Sequence, residues 1–258
     1  MSRTAALLAA STIVTCAFAA TPASAQLAID RLWVDFEPGA AKRADIVIRN
    51  ESQDRYYITV APVEISTPGA EVEQREQIAD PEALGLLVSP NRLIVEPGGM
   101  RSIRLVSLNE KLAKDRIYRV RVSPEVGAIE TADPGAEARG VSVKLLTAYD
   151  LLVTARPEKG VSKLATRRDA DGFTITNEGN TNTLLFEGWA CPAGARPRSP
   201  DEQAGSAASA TASACTEIGA RRLYAGNSWT FALPQGTERI VFKERNLASA
   251  EPREVEFR

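Results

Sequence analysis

The sequence predicts an all-β chain built from antiparallel sandwiches. Three observations point there. Short runs of alternating apolar and polar residues recur along most of the chain, clusters of Gly, Pro, Asn and Asp punctuate them, and a single short segment has helical character.

The runs come in order. LAIDRLWVDF (Leu27 to Phe36) alternates and stops at EPG, and RADIVIRN (Arg43 to Asn50) alternates and stops at NESQD. YYITVAPVEI (Tyr56 to Ile65) is β-branched and aromatic. DPEALGLL (Asp80 to Leu87) is the helical exception, with Asp80 as cap and Pro81 at the first helical position. NRLIVEPGG ends in a turn signal, and RSIRLVSL and IYRVRVSP alternate with arginines on the outer parity. After Arg156-Pro157 the composition shifts. EKGVSKLATRRDADG reads as a linker, with LATRRD a solvated basic cluster. FTITNEGNTNTLLFEGWACP then restarts the alternation as the opening of a second β domain, followed by SWTFALP, RIVFKE and REVEF. Trp33, Trp189 and Trp229 are expected in the cores or half-buried.

The first residues read as an export signal. Arg3 is followed by an apolar stretch too short for a membrane span, and Ala23 to Ala25 present a small-x-small cleavage site, so residues 1–25 are expected to be removed. The remaining 233 of the 258 residues suit one large β domain or two smaller ones. The expected domains are 26–157 and 158–258. One of the 31 basic residues, Arg3, leaves with the signal, so 30 basic face 33 acidic residues; the chain is not a nucleic-acid binder by charge.

Cys191 and Cys215 remain as an even pair in an exported chain and are expected to form a disulfide. The residues between them, 192–214, are Ala/Ser/Gly/Pro-rich without periodicity and read as a flexible surface loop. In the chain-entropy account, closing it contributes roughly 3 kcal/mol. The chain has no histidine, which removes Ser-His-Asp catalysis and histidine metal sites. Asp30, Asp35, Glu37, Asp45 and Glu64 alternate with aliphatic residues as solvated strand faces do, and no pair stands out for glycoside hydrolysis. VEPGGMRS carries no phosphate-binding fingerprint. No catalytic residue, cofactor or metal is expected.

GVSVKLLTAYDLLVTARP, from Gly140 to Pro157, reads as one long strand. Val141, Val143, Leu145, Thr147 and Tyr149 occupy one parity, and the other is mixed. Two readings follow. Either the apolar parity faces this chain's own core, or an edge strand offers it to a partner by strand addition.

The order of pieces around this strand resembles the periplasmic pilus (fimbrial) chaperones. The resemblance rests on Pro90, Arg92, Leu93, Glu96, Pro97 and Gly98, then Ser102, Arg104 and Leu105, then Asp115, Arg116, Tyr118 and Pro124, and finally Arg156-Pro157. It covers nearly all of the first domain and is weaker in the second. It implies two immunoglobulin-like domains set at an angle like a boomerang, without enzymatic activity. It also implies that the last strand of the first domain, the G strand, is lent to pilus subunits that lack one, with delivery to an outer-membrane usher. The donor positions fall on Val143, Leu145 and Thr147, with Val141 extending the row. The family's carboxylate anchor, an Arg on the first strand and a Lys late in G, falls here on Trp33 and Leu152, neither of which pairs with a carboxylate. Arg31, two residues before Trp33, is the replacement candidate, and Arg156 takes the interdomain ion pair. Asn91 stands where the family has a second Pro. The exposed G strand also invites self-association. The alternatives are a structural pilin or adhesin, a secreted glycan-active enzyme, or the same fold serving a client other than a pilus subunit.

Overall fold

The structure, a computed structural model, describes residues 27–127, 145–169, 172–197, 215–246 and 251–258. The expected export signal, Val141, Val143 and most of the 192–214 loop lie outside the described residues. The fold is all-β, with two immunoglobulin-like sandwiches in succession.

The first sandwich begins with β1 (Leu27–Ile29) and β2 (Trp33–Phe36). The single strand expected over Leu27 to Phe36 is therefore broken at Asp30–Leu32. The break has a local cause: the Asp30 carboxylate accepts the Val47 N–H at 2.9 Å, and the chain leaves one sheet for the other. There follow β3 (Arg43–Asn50), β4 (Tyr56–Ile65), β5 (Arg75–Glu76), β6 (Leu86–Ser89), β7 (Arg92–Val95), β8 (Met100–Ser107), β9 (Arg116–Val126) and β10 (Tyr149–Ala155). Strands β1, β3, β8 and β6 form one sheet; β2, β10, β9, β4 and β5 form the other, with β7 also on β4. Their inward rows close on Ile46, Ile48, Ile103, Leu105, Tyr118, Val120, Leu151 and Val153, all fully buried. Helix α1 (Pro81–Leu84) forms where the sequence places it. Asp80 accepts from the Glu82 and Ala83 N–H groups, and Gly85 ends the helix at φ +73°, a conformation suited to glycine.

The second sandwich comprises β11 (Leu164–Asp169), β12 (Gly172–Asn177), β13 (Thr183–Pro192), β14 (Thr216–Ile218), β15 (Arg221–Leu223), β16 (Ser228–Phe231), β17 (Thr237–Arg245) and β18 (Arg253–Phe257). LATRRD is thus not linker but strand β11, an edge strand paired with β12 whose last four residues are exposed. Phe173, Ile175, Leu185, Ile240 and Phe242 fill the core. Cys191 and Cys215 form the expected disulfide, both buried.

The two sandwiches share a turn device. Asn50 ends β3 fully buried, its amide donating to the Asp54 and Val95 carbonyls while its oxygen accepts from Ser52 N–H. Asn177 ends β12 in the same way, donating to the Thr181 and Leu223 carbonyls and accepting from Gly179 N–H. Each side chain supplies the hydrogen bonds that a buried turn would otherwise lack.

Glu244 is a fully buried carboxylate on β17. Its Oε1 accepts from Ser162, Thr183 and Asn246, and its Oε2 accepts from Arg253 at 2.6–2.7 Å. Burial pushes its pKa up, but these hydrogen bonds outweigh burial and hold it below the ordinary glutamate value. A carboxyl held low in the folded state contributes stability above its unfolded pKa, and that contribution is lost as pH falls through the folded value. Glu244→Gln is therefore expected to lower the unfolding free energy at pH 7 by about 2 kcal/mol and to flatten its decline between roughly pH 5 and 3. Denaturant titrations across that range measure both; an unchanged pH slope would contradict the assignment.

Candidate functional site

Strand β10 organises the site. On one edge it pairs antiparallel with β9, from Tyr149 opposite Val122 to Ala155 opposite Arg116. On the other it pairs parallel with β2, but only from Leu152 opposite Trp33 to Ala155 opposite Phe36. The Leu152 N–H donates to Leu32 carbonyl at 2.9 Å and the Arg156 N–H to Phe36 carbonyl at 3.1 Å, so even-numbered amides face the β2 edge. The alternation sends the Asp150 N–H to the same edge, ahead of the point where β2 begins. Among the described residues no strand pairs with this stretch of the edge.

Within its described part, the long strand expected over Gly140 to Pro157 is regular from Tyr149. Leu145, Leu146, Thr147 and Ala148 have no strand pairing and are exposed, Leu145 to 81%. Extending the β9 register sets Thr147 opposite Pro124, and a proline offers no N–H where the pairing stops. In sequence the odd-numbered row nonetheless runs on. Leu151, Val153 and Ala155 are buried, and Thr147 and Leu145 continue that row beyond the sheet. Leu145 is a core-parity side chain with no core of its own.

The downstream end of the free edge opens on a cleft between the sandwiches, of about 310 Å³. Trp33 and Leu152, cross-strand neighbours, form its apolar side. The expectation of a buried Trp33 fails. Strand β2 alternates with Val34 and Phe36 inward, which turns Trp33 outward at 71% exposure, whereas Trp189 and Trp229 are half-buried. The second sandwich contributes Arg222 and Arg245. Arg222 donates to Asn182 Oδ1 at 2.5 Å, and Arg245 lies over the Phe186 ring at 5.4 Å. Neither has a carboxylate partner among the described residues. With Arg156, three arginines face two acids, Asp35 and Glu37, across this cleft. Asp35 is already held by Arg156 at 3.1 Å.

Arg31 sits elsewhere. It lies in the break between β1 and β2, where the strand continuity that would align it with Trp33 is lost, and its Nε pairs with Asp30 at 3.2 Å. It is absent from the described residues that line the cleft. Sequence reading missed Arg222 and Arg245; the paired arginines of β15 and the KER ending of β17 were their only signal, and neither reveals a facing direction.

The cleft walls are held together by a buried polar seam. Arg156, its side chain 6% exposed, donates to Thr181 and to Asp35 and lies 3.8 Å from Asp115. Asp115, fully enclosed, accepts the Asn182 N–H at 2.7 Å and the Asn182 side chain at 2.6 Å. On another side the loop between β4 and β5 reaches across: Asn227 donates to Pro68 carbonyl and Arg221 to Gly69 carbonyl. Gly69 stands at φ +76°, and a Cβ there would come within 2.9 Å of the Asn227 amide and 3.0 Å of the Tyr224 ring, so the close approach needs glycine. Tyr224 packs there with Val63, Ile65 and Ile117, and burial pushes its hydroxyl pKa up, against the pull of Arg222 and Arg119. A larger cavity of about 720 Å³ adjoins this loop, but it touches neither β2 nor β10, and its two arginines are engaged, Arg116 by Glu64 at 2.8 Å and Arg221 by the Gly69 carbonyl at 3.1 Å. No cluster of three or more metal-ligating side chains occurs among the described residues.

No protein-family model matches the chain. Over 149 residues, 57% of the chain, it is 26% identical to a CS1 fimbrial subunit protein of Escherichia coli, and the match spans 61% of that protein's own length. Among solved structures, the class 5 fimbriae chaperone CfaA matches 90% of this chain and 97% of its own at a TM-score of 0.67 and 18% identity. The chain has the fold of the fimbrial chaperones. A chain of a chaperone–tip adhesin complex of CFA/I fimbriae biogenesis matches at a TM-score of 0.62 and 18% identity, covering 90% of this chain and 97% of that one. A chain of the Salmonella enterica SafA pilin–SafB chaperone complex matches at 0.51 and 10% identity, covering 90% and 95%.

The seam between the sandwiches yields a direct test. Asp115→Ala removes one charge and leaves Arg156 and the Asn182 N–H buried without it, so it is expected to lower stability by about 3 kcal/mol. An unchanged denaturation midpoint would show that this carboxylate does not hold the interface.

Proposed function

We propose that the protein is a periplasmic chaperone that binds fimbrial subunits by lending them the free edge of β10, and passes them to an outer-membrane usher. The observation that carries this reading is Leu145, exposed on the core parity beside an unpaired strand edge. A subunit lacking a strand presents the complement: an apolar groove and a backbone edge without partners. Val141, Val143, Leu145 and Thr147 form the donated row, in a domain of residues 26–157 followed by a second of 158–258. Each aliphatic side chain buried in a groove contributes about 1.5–3 kcal/mol before ordering costs.

The reading takes the client's polarity from β2, whose parallel sense a strand added in line with it would continue. A strand that continues the β2 row along β10 in the parallel sense ends, at its C-terminus, against Leu32 and Trp33 at the mouth of the cleft. Its terminal carboxylate then meets Arg222 and Arg245, the two cleft cations without acidic partners among the described residues. The anchor is thereby assigned to the second sandwich rather than to Arg31.

Co-purification of a fimbrial subunit co-expressed with this chain, with wild type and Leu145→Glu compared, tests the reading. Wild type is expected to hold the subunit and Leu145→Glu to lose it, because a carboxylate entering an apolar groove pays a large desolvation cost. Equal retention would place the contact on another surface. A structural subunit is the second reading, favoured by the likeness to a protein called a fimbrial subunit; recovery of this chain in purified fibres would support it.

A further inference from the structure

We infer that Trp33 selects clients whose last residue carries a large apolar side chain. The inference rests on the polarity just proposed, in which a client's C-terminus reaches the cleft.

The cleft lining mixes apolar side chains, Leu184 of the second sandwich among them, with three arginines and two carboxylates. The first sandwich supplies Trp33 and Leu152, side by side on adjacent strands. The second supplies Arg222 and Arg245. A small inorganic anion would use the arginines and leave the tryptophan in water. A neutral apolar ligand would leave the arginines unmatched. A chain terminus with an apolar final side chain satisfies both at once, placing its carboxylate toward the guanidinium groups and its side chain against the indole.

Position sharpens this. Trp33 is the first residue of β2 and lies at the end of the row a client strand would occupy. Its outward turn is imposed by the inward packing of Val34 and Phe36, so the indole is presented by the core rather than by a mobile loop. It is the most exposed aromatic residue among the large exposed hydrophobics, at 71%. Large aromatic side chains at such positions concentrate binding energy when a partner covers them.

The test uses the full chain and three N-acetylated hexapeptides of alternating Thr and Val. One ends in phenylalanine with a free carboxylate, one ends in glycine with a free carboxylate, and one ends in phenylalanine amide. Titration calorimetry gives the affinities for wild type, Trp33→Ala and Trp33→Leu, with melting temperature as the folding check. The indole is exposed, so both variants are expected to melt as wild type does.

The phenylalanine acid is expected to bind wild type about tenfold more tightly than the glycine acid. Trp33→Ala is expected to abolish that preference by weakening the phenylalanine acid about tenfold more than the glycine acid, and Trp33→Leu to keep part of it. Equal binding of the two acids by wild type, or a preference that survives Trp33→Ala, overturns the inference. If acid and amide bind alike while the preference still depends on Trp33, the carboxylate anchor fails and the role of Trp33 stands. If no peptide binds at millimolar concentration, the cleft does not receive a chain end and both fall.

Discussion

The parallel ladder between β2 and β10 runs for four residues, Trp33 to Phe36 against Leu152 to Ala155. Where it starts decides most of what the first sandwich can do. Downstream of Leu152 the edge of β10 is covered; upstream, among the described residues, it is open. An open edge with regular alternation is a hazard that folded proteins usually blunt with charge, proline or a covering loop. Here the outward residue on the open stretch is Asp150, which Arg75 reaches across to neutralise at 2.6 Å, while the inward parity runs on through Thr147 and Leu145. The edge is open and its apolar row is unprotected, as a strand donor requires.

The second sandwich matters because it is fixed relative to that edge. The seam of Asp115, Arg156, Asn182 and Thr181 holds one side, and the loop bearing Gly69 holds another. Buried charge pairs of this kind are weak as sources of net stability, since desolvation offsets the attraction. Their effect is geometric: removing one partner is costly, so the arrangement has few alternatives. Arg222 and Arg245 are thereby held across the cleft from Trp33, and in the proposed reading the two sandwiches act on one ligand end. Donation along the edge supplies backbone hydrogen bonds of no particular sequence; the cleft at its end can supply direction and selectivity.

Much of this architecture was legible in the sequence, for identifiable reasons. RADIVIRN and YYITVAPVEI became β3 and β4 residue for residue, the first because regular alternation leaves one register in which the apolar face is covered, the second because its residues are β-branched and aromatic. Asp80-Pro81 started a helix because cap and first-turn chemistry are local. What failed was decided by tertiary contact. Asp30 breaks the first strand by taking the Val47 N–H, a partner seventeen residues away, and with the break goes the alignment of Arg31. LATRRD looked like a linker because an edge strand with a solvated outer face carries little apolar signal. Trp33 looked like core because aromatic residues at strand spacing usually are, but parity on a four-residue strand is set by its neighbours Val34 and Phe36. The cleft arginines come from distant strands of the other sandwich, and no spacing in the chain brings them together.

Hydrogen exchange of the complex between this protein and its fimbrial subunit tests the central claim most directly. Strand donation along the open edge of β10 requires that the even-numbered amides Leu146, Ala148 and Asp150 become slow on binding, while amides of β9 and β4, already paired, change little. Protection on those three amides, ending where β2 takes over at Leu152, is the expected result. A complex in which they exchange as fast as in the free protein would contradict donation by β10, wherever else protection appeared.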